Sequence, residues 1–228
     1  MKLLNFFFPQ NNKCIFCHKE TESLSICNDC YNKLPFIKGK TCYKCGGAMK
    51  DDGVCSDCQK IRHEFLKCYC IFDYDEEIQE KLIAFKQNKR KNIGEAFSYI
   101  VKDYFEKIKM KFDLVIPIPI HEKRLKLRKF NQSEILASKI KITDKAIMKR
   151  IKDTPHQTGL SRKNRENNLS QAFEILDKRK VKGKVVLLVD DIFTTGATLD
   201  ECSRCLYHAG AKAVYGLCLA RGKRNVSN

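Results

Sequence analysis

The chain has 228 residues, of which 43% are hydrophobic, so disorder is excluded and one or two domains with buried cores are expected. Lys and Arg number 44 against 27 Asp and Glu, a formal net charge of +17 that favours polyanionic partners, although a Lys-rich proteome explains the same excess. The longest aliphatic run, 185–189, is too short to span a membrane, and the N-terminus lacks a signal peptide pattern, so we expect a cytoplasmic protein without membrane insertion.

Ten of the thirteen cysteines lie within the first 70 residues, and eight of them form Cys-x-x-Cys pairs that repeat with an offset of 28 residues. The pairs are formed by Cys14, Cys17, Cys27, Cys30, Cys42, Cys45, Cys55 and Cys58. Each copy supplies four thiolates, the ligand set of tetrahedral structural Zn²⁺, and leaves no open position for catalysis. We therefore expect two structural zinc ions. One ion per copy is favoured by the repeat, while a cross-braced pairing stays open.

Segments with strand and helix patterns alternate along the rest of the chain. The pattern predicts strands over 68–74, 113–118, 146–151, 172–176, 184–189 and 213–219. Helices are predicted over 76–88, 93–108, 132–140 and 197–209, with a basic loop over 86–91. Residues 152–170 are almost without apolar side chains and predict a long functional loop. This alternation is typical of an α/β domain with a mainly parallel sheet.

The most specific motif follows the central strand, in the segment VVLLVDDIFTTGAT over 185–198. Asp190 and Asp191 stand at the carboxyl edge of the predicted sheet, where open α/β folds bind ligands. The turn that follows is formed by Thr194, Thr195, Gly196, Ala197 and Thr198. Its hydroxyls and the next helix N-terminus suit a phosphate, and the two carboxylates suit a diol. The segment therefore predicts a ribose 5-phosphate site, with both carboxylates unpaired in the absence of ligand.

Three other kinds of protein segment share parts of this motif. A receiver domain also carries an acidic pair after an aliphatic strand, but it needs about 100 further residues, and 37 follow Asp191. A nucleotide triphosphatase needs the motif G-x-x-x-x-G-K-[ST], which this sequence lacks. An ordinary Asp-capped turn does not require this combination of acidic and hydroxyl residues.

The motif resembles the phosphoribosyl-pyrophosphate (PRPP) motif of type I phosphoribosyltransferases. Together with the cysteine-rich start, PIPIHEKRLKLRKFNQSEILA over 117–137 and DTPHQTGLSRKNRENN over 153–168, the whole chain resembles the ComF family of competence-associated proteins. The family often has Arg-Gly-Phe-Asn-Gln where this chain has Lys129 in place of the glycine. We take this difference to mean that the backbone here does not need a glycine-only conformation.

The resemblance implies a double zinc-ribbon domain over 1–62 and a type I phosphoribosyltransferase domain over 63–228. Asp190 and Asp191 would then hold the ribose hydroxyls of PRPP, the turn after them the 5-phosphate, and PRPP would arrive with Mg²⁺. The segment after the strand at 113–118 would be the pyrophosphate loop. The loop over 152–170 would close over the site, and it carries cations suited to the leaving group: Arg162, Lys163 and Arg165. Arg162 and Arg165 are the catalytic candidates.

Two functional classes stay open. The first is an enzyme that transfers a 5-phosphoribosyl group from PRPP, and the second is a catalytically silent accessory protein. The resemblance implies a link to natural transformation, the uptake of single-stranded DNA and a helicase-like ATPase partner. Basic residues near the predicted site are candidates for DNA phosphates: Arg124, Lys126, Arg128 and Lys129. Tyr31 and Tyr43 are candidates for base stacking, and His121 is the one histidine singled out for testing.

Overall fold

The computed structural model describes residues 13–21, 26–87, 90–153 and 171–222. Contacts within the chain divide it into two compact units, Met1–Leu34 and Pro35–Asn228. The smaller unit contains the short helix α1, Asn28–Lys33, whose first turn begins at Cys27. The domain boundary at residue 62, which rests on the family resemblance, stays a prediction.

The larger unit is built on a four-stranded sheet in which every neighbouring pair of strands is parallel. Its strands are β1 (Cys68–Asp73), β2 (Leu114–Pro117), β5 (Val185–Phe193) and β6 (Ala213–Arg221). They lie in the order β1-β6-β5-β2. The predicted α/β class with a parallel sheet is therefore confirmed.

Strand β5 is central because it pairs with β2 on one side and with β6 on the other. Val186 to Val189 are all buried, as expected for a strand covered on both faces. The strand is longer than predicted: its pairing with β6 continues through Asp190, opposite Cys218, to Phe193, opposite Arg221. Because β5 stays paired with β6 beyond its aliphatic residues, Asp190 and Asp191 lie within the strand.

Six helices accompany the described strands of this unit. They are α2 (Ser56–Lys60), α3 (Glu76–Gln87), α4 (Lys91–Lys107), α5 (Glu122–Arg128), α6 (Gln132–Ala137) and α7 (Ala197–His208). Helix α4 buries Ile93, Ala96, Phe97, Ile100 and Val101, the spacing of one helical face. In the described ranges no helix is both long and apolar enough to cross a membrane.

Three features of the fold differ from the sequence predictions. The strands predicted over 146–151 and 172–176 form a separate antiparallel pair, β3 (Met148–Arg150) with β4 (Phe173–Ile175). The predicted basic loop begins too early, because α3 continues to Gln87 and contains Lys86. Helix α5 was not predicted, since it buries no residue and has no apolar face.

Candidate functional site

The first cysteine group of the repeat lies in the smaller unit. The sulfurs of Cys14, Cys17, Cys27 and Cys30 are all within 4.8 Å of one another. The backbone N–H of His18 donates to the carbonyl of Cys14 at 2.8 Å, which closes the turn after the first pair. Four converging thiols fit a tetrahedral structural zinc ion.

The second cysteine group lies in the larger unit, where Cys42, Cys45, Cys55 and Cys58 also converge within 4.8 Å. All four are buried and belong to the same apolar cluster as the sheet residues. A hydrogen bond from Cys58 and the charge of Arg221 lower the pKa of Cys45 to about 4, although burial opposes this. A thiolate is the form of cysteine that binds zinc, so this group also fits the metal.

The repeat extends from the ligands to the backbone around them. The bridge between Lys13 and Glu20 has its counterpart, 28 residues later, in the bridge between Thr41 and Ala48. His18 and Gly46, also 28 residues apart, both have a positive φ, of 61° and 69°. Each copy therefore folds as one unit around its own four thiols. The convergence of the four sulfurs within each copy supports the predicted pairing of one ion per copy over the cross-braced alternative.

The acidic pair lies at the carboxyl end of β5, as predicted, and its two side chains have different partners. Asp190 Oδ1 accepts hydrogen bonds from the Ser133 hydroxyl at 3.1 Å and from the Asp191 backbone N–H at 2.8 Å. Asp191 forms an ion pair with Lys86. The expectation that both carboxylates are unpaired is therefore wrong, because α3 and α6 each bring a polar group to this end of the strand.

The environment of the pair changes the acidity of Asp190. Burial, and next the charge of Asp191, raise the pKa of Asp190 to about 7. The positive charge of Lys86 acts in the opposite direction. A carboxyl group with this pKa exchanges its proton near neutral pH, so its capacity to accept hydrogen bonds varies over the physiological range.

The turn of 194–198, here called the phosphate turn, joins β5 to α7. Gly196 precedes the first residue of α7 and has a φ of +83°, a conformation that favours glycine. A Cβ atom at this position would lie 2.7 Å from His63 Cε1 and 2.9 Å from Phe193 Cζ. The Ala197 N–H donates to Thr195 Oγ1 at 3.4 Å within the turn. The turn thus presents its hydroxyls beside the N-terminus of a 12-residue helix.

The segment after β2 is held against the acidic pair by Asn131. Its Nδ2 donates to the carbonyl of Ile118 at 3.0 Å, and its Oδ1 accepts from the Ser133 N–H at 3.0 Å. Asn131 therefore caps α6 and ties its first turn to the end of β2. This is the physical role of the Phe-Asn-Gln motif noted in the sequence: it carries Ser133 to Asp190.

Helix α5 carries the four DNA-binding candidates, and the structure separates them. Lys126 and Lys129 are exposed, and Arg124 is half-buried. Arg128 donates to Gln132 Oε1 at 3.2 Å. Burial lowers the pKa of Arg128 while the charge of Asp191 raises it, so this guanidinium is within electrostatic range of the acidic pair.

Lys129 ends α5 with a φ of 68° and donates its N–H to the carbonyl of Leu125. The expectation that this position avoids the glycine-favouring conformation is wrong, because the left-handed cap of α5 requires it. His121 begins the same helix, and its Nδ1 accepts from the Lys123 N–H at 3.3 Å. Tyr31 and Tyr43 are exposed, at 38% and 53%.

The predicted closing loop lies largely outside the described residues, which stop at 153 and resume at 171. Arg162, Lys163 and Arg165 therefore stay predictions.

Sequence reasoning missed the residues that support the site from other parts of the chain. The tertiary fold brings Lys86 to Asp191 in β5 and His63 to Asp200 in α7. It also brings Arg221 to the carbonyl of Thr194 in the phosphate turn. No spacing in the sequence points to them. The sequence does point to Ser133, since this residue directly follows the Phe-Asn-Gln motif.

Two family models match separate parts of the chain. A family model described as a double zinc ribbon domain matches residues 3–59, and one described as a phosphoribosyl transferase domain matches residues 132–226. Two solved structures, titled as an allosteric regulatory enzyme of purine biosynthesis and as glutamine PRPP amidotransferase from B. subtilis, are 19% and 20% identical with TM-scores of 0.39. Each match covers 56% of this chain and 26% of the solved chain.

Curated relatives match over most of their length. Competence protein ComFC of Bacillus subtilis is 29% identical over 88% of this chain and 85% of its own. Competence protein F of Haemophilus influenzae is 28% identical over 95% and 93%, and DNA utilization protein YhgH of Escherichia coli is 27% identical over 86% and 90%. The chain is therefore similar over most of its length to two competence proteins and a DNA utilization protein, and it matches a double zinc ribbon domain followed by a phosphoribosyl transferase domain.

Proposed function

We propose that this chain binds PRPP together with Mg²⁺ at the carboxyl end of β5 and transfers its 5-phosphoribosyl group to an acceptor. The observation that carries this proposal is the continuity of the acidic pair with the phosphate turn. Asp190 and Asp191 lie near the carboxyl end of β5, and Gly196, five residues after Asp191, is the N-cap of α7. A group suited to a diol and a group suited to an anion thus follow one another closely along the chain, as a ribose 5-phosphate site requires.

Each described residue has a role in this proposal. Asp190 and Asp191 accept hydrogen bonds from the ribose hydroxyls, while the phosphate turn and the N-terminus of α7 hold the 5-phosphate. Lys86 and Arg128 bring positive charge to the same end of the strand. Such cations stabilise the pyrophosphate that leaves as its bond to the ribose carbon breaks.

Two further contributions complete the site. Mg²⁺ is bound largely by the oxygens of PRPP itself and neutralises part of the pyrophosphate charge. Arg162 and Arg165 are proposed to act on the leaving group as well, through closure of the loop that carries them. The closed loop would exclude water from the reacting carbon.

Titration calorimetry of PRPP with Mg²⁺ tests the proposal. The wild-type protein should bind, and the double variant Asp190→Asn with Asp191→Asn should lose at least 90% of the affinity, a tenfold change worth about 1.4 kcal/mol. Asp177→Asn, a partly exposed carboxylate elsewhere in the chain, is the matched control. Binding that is unaffected in the double variant would move the site away from β5.

A second function, the binding of single-stranded DNA, is proposed on a separate observation. Helix α5 buries none of its residues, and it exposes Lys126 together with Leu127, whose side chain is 74% exposed. The sequence over 121–168 contains fourteen Lys and Arg against five Asp and Glu. The printed name of the Escherichia coli relative, a DNA utilization protein, agrees with such a role. A helicase-like ATPase partner would supply the motor, since this sequence has no Walker motif.

The DNA proposal is tested by neutralising exposed lysines without touching the acidic pair. Lys126→Gln with Lys129→Gln should weaken the binding of single-stranded DNA and flatten its salt dependence, because fewer counterions are released. Lys102→Gln with Lys107→Gln on α4 is the control. A variant in which Arg124 and Arg128 are neutralised as well should lose more of its affinity for single-stranded DNA. If heparin, duplex and single strand compete equally for all variants, the DNA proposal fails.

A further inference from the structure

The second cysteine group lies directly behind the phosphate turn, with His63 between them. His63 is 6% exposed. Its Nε2 is 3.7 Å from the sulfur of Cys58, and its Nδ1 is 2.9 Å from Asp200 Oδ2 in the first turns of α7. One buried imidazole therefore contacts a ligand of the cysteine group and the helix that begins at the phosphate turn.

The same imidazole ring limits the space behind Gly196. A Cβ atom on Gly196 would lie 2.7 Å from His63 Cε1 and 3.0 Å from His63 Nδ1, closer than a real Cβ atom approaches its neighbours. Asp200 fixes the segment that carries the ring, because its other oxygen accepts from the Glu64 N–H at 2.8 Å. The backbone of the turn thus rests on a side chain that is itself held on both sides.

Arg221 makes a second connection between the two features. Its Nη1 donates to the carbonyl of Thr194 at 3.0 Å and to that of Gly222 at 2.7 Å, and the residue is 5% exposed. Its Nη2 lies 4.0 Å from Oδ2 of Asp57, the residue before the zinc-ligand candidate Cys58. The guanidinium therefore contacts both the segment that carries Cys58 and the first carbonyl of the turn.

We propose that His63 and Arg221 are positioning residues through which zinc in the second cysteine group holds the phosphate turn in its binding conformation. Zinc would fix the four sulfurs and the segment that carries Asp57 and Cys58. That segment contacts His63 and Arg221. These two side chains in turn contact Gly196, Asp200 and Thr194. Zinc at this group and a phosphate ester at the turn then stabilise each other. Because coupling between two binding sites is reciprocal, each ligand slows the loss of the other. The proposal rests on the proposed function in that it takes the turn as the phosphate site.

The reciprocal effect is measured on the wild-type protein, without any substitution. Zinc release to a chromogenic chelator is followed with and without saturating ribose 5-phosphate, which needs no Mg²⁺ and so leaves the chelator free. One of the two zinc equivalents should be released at least fivefold more slowly in the presence of the ester. If the ester changes the release rate of neither zinc equivalent, while calorimetry shows that the ester is bound, the coupling is overturned.

Substitution of the bridging residues tests the path. His63→Gln should retain two zinc equivalents, bind ribose 5-phosphate about tenfold more weakly, and exchange the amide hydrogens of the phosphate turn faster. His208→Gln, an exposed histidine at the other end of α7, should leave all three properties unchanged. Arg221→Lys and Asp200→Asn test the same path if the first variant does not fold. A folded variant with two zinc ions, unchanged exchange at the turn and unchanged affinity would refute the role.

The two proposals fail in different ways. If ribose 5-phosphate does not bind the wild-type protein at all, the proposed function of the turn fails. Amide exchange at the turn in His63→Gln still tests the coupling in that case, because it needs no ligand. If the ester binds and exchange is the same in both proteins, only the coupling fails.

Discussion

The Ser133 hydroxyl donates a hydrogen bond of 3.1 Å to Asp190 Oδ1 and so joins the first turn of α6 to the end of β5. Ser133 is 1% exposed, so water does not replace its hydroxyl. We predict that Ser133→Ala lowers the free energy of unfolding by about 1–2 kcal/mol at pH 8, where Asp190 is ionised. Denaturant unfolding measures the change. Ser138→Ala, at the exposed end of the same helix, should stay within about 0.5 kcal/mol of wild type, and equal losses would contradict the prediction.

The ion pair between Lys86 and Asp191 predicts an effect on ligand affinity. Removal of the Lys86 charge leaves two neighbouring carboxyl groups without this cation and raises the pKa of Asp190 further. We predict that Lys86→Gln weakens PRPP–Mg²⁺ binding at pH 7 by about tenfold, or about 1.4 kcal/mol. Calorimetry provides the measurement. Lys81→Gln removes a lysine that is paired with Glu77 on the same helix, and it should change the affinity for PRPP and Mg²⁺ little.

The raised pKa of Asp190 predicts a loss of stability as the pH rises. An ordinary Asp loses its proton near pH 4 when unfolded, whereas Asp190 keeps its proton to about pH 7 in the folded protein. Between these values the folded state binds more protons, so the contribution present below pH 4 is lost as the pH rises through 7.

Asp190→Asn removes this titration and retains an acceptor oxygen for Ser133. At pH 5 the variant should match wild type, and at pH 8 it should be more stable by about 1 kcal/mol or more. Urea unfolding at the two pH values measures the difference. A stability difference that is the same at both pH values would show that Asp190 does not titrate in this range.

The left-handed conformation of Lys129 predicts a stabilising substitution. Lys129→Gly should raise the free energy of unfolding by about 1 kcal/mol, because glycine adopts this conformation without the steric cost of a Cβ atom. Lys126→Gly, within the same helix, should lower it by about 1 kcal/mol. Thermal and denaturant unfolding compare the two. If both substitutions destabilise the protein, Lys129 is not the left-handed C-cap of α5.

The two cysteine groups predict a metal content of two zinc equivalents per chain. Elemental analysis of the purified protein measures the ratio, and a value near one would refute one of the sites. Cys45→Ser should destabilise the parallel sheet as well as its own zinc site, because Cys45 packs in the same buried cluster as the sheet residues. Cys17→Ser, whose thiol is exposed, is the matched comparison.

The sequence was sufficient wherever the residues of one feature lie close together along the chain. The eight zinc ligands occur as short pairs in register, and Asp190, Asp191 and the phosphate turn follow one buried strand. Each of these groups is positioned by a local element, so spacing alone predicts it.

Residues that reach the site through the tertiary fold could not be predicted in this way. Ser133 lies 57 residues from Asp190, and His63 lies 137 residues from Asp200. Helix α5 depends on its caps, His121 and Lys129, rather than on an apolar face, so hydrophobic periodicity does not find it. Such contacts are set by which elements become neighbours.

Hydrogen–deuterium exchange with saturating PRPP and Mg²⁺ tests the central claim most directly, because it locates the ligand as well as detecting it. Peptides that contain 190–198 should exchange more slowly when PRPP is bound, while α4, Lys91–Lys107, should exchange at an unchanged rate. Slower exchange confined to other segments, or no change at 190–198 while calorimetry shows PRPP bound, would contradict the site proposed here.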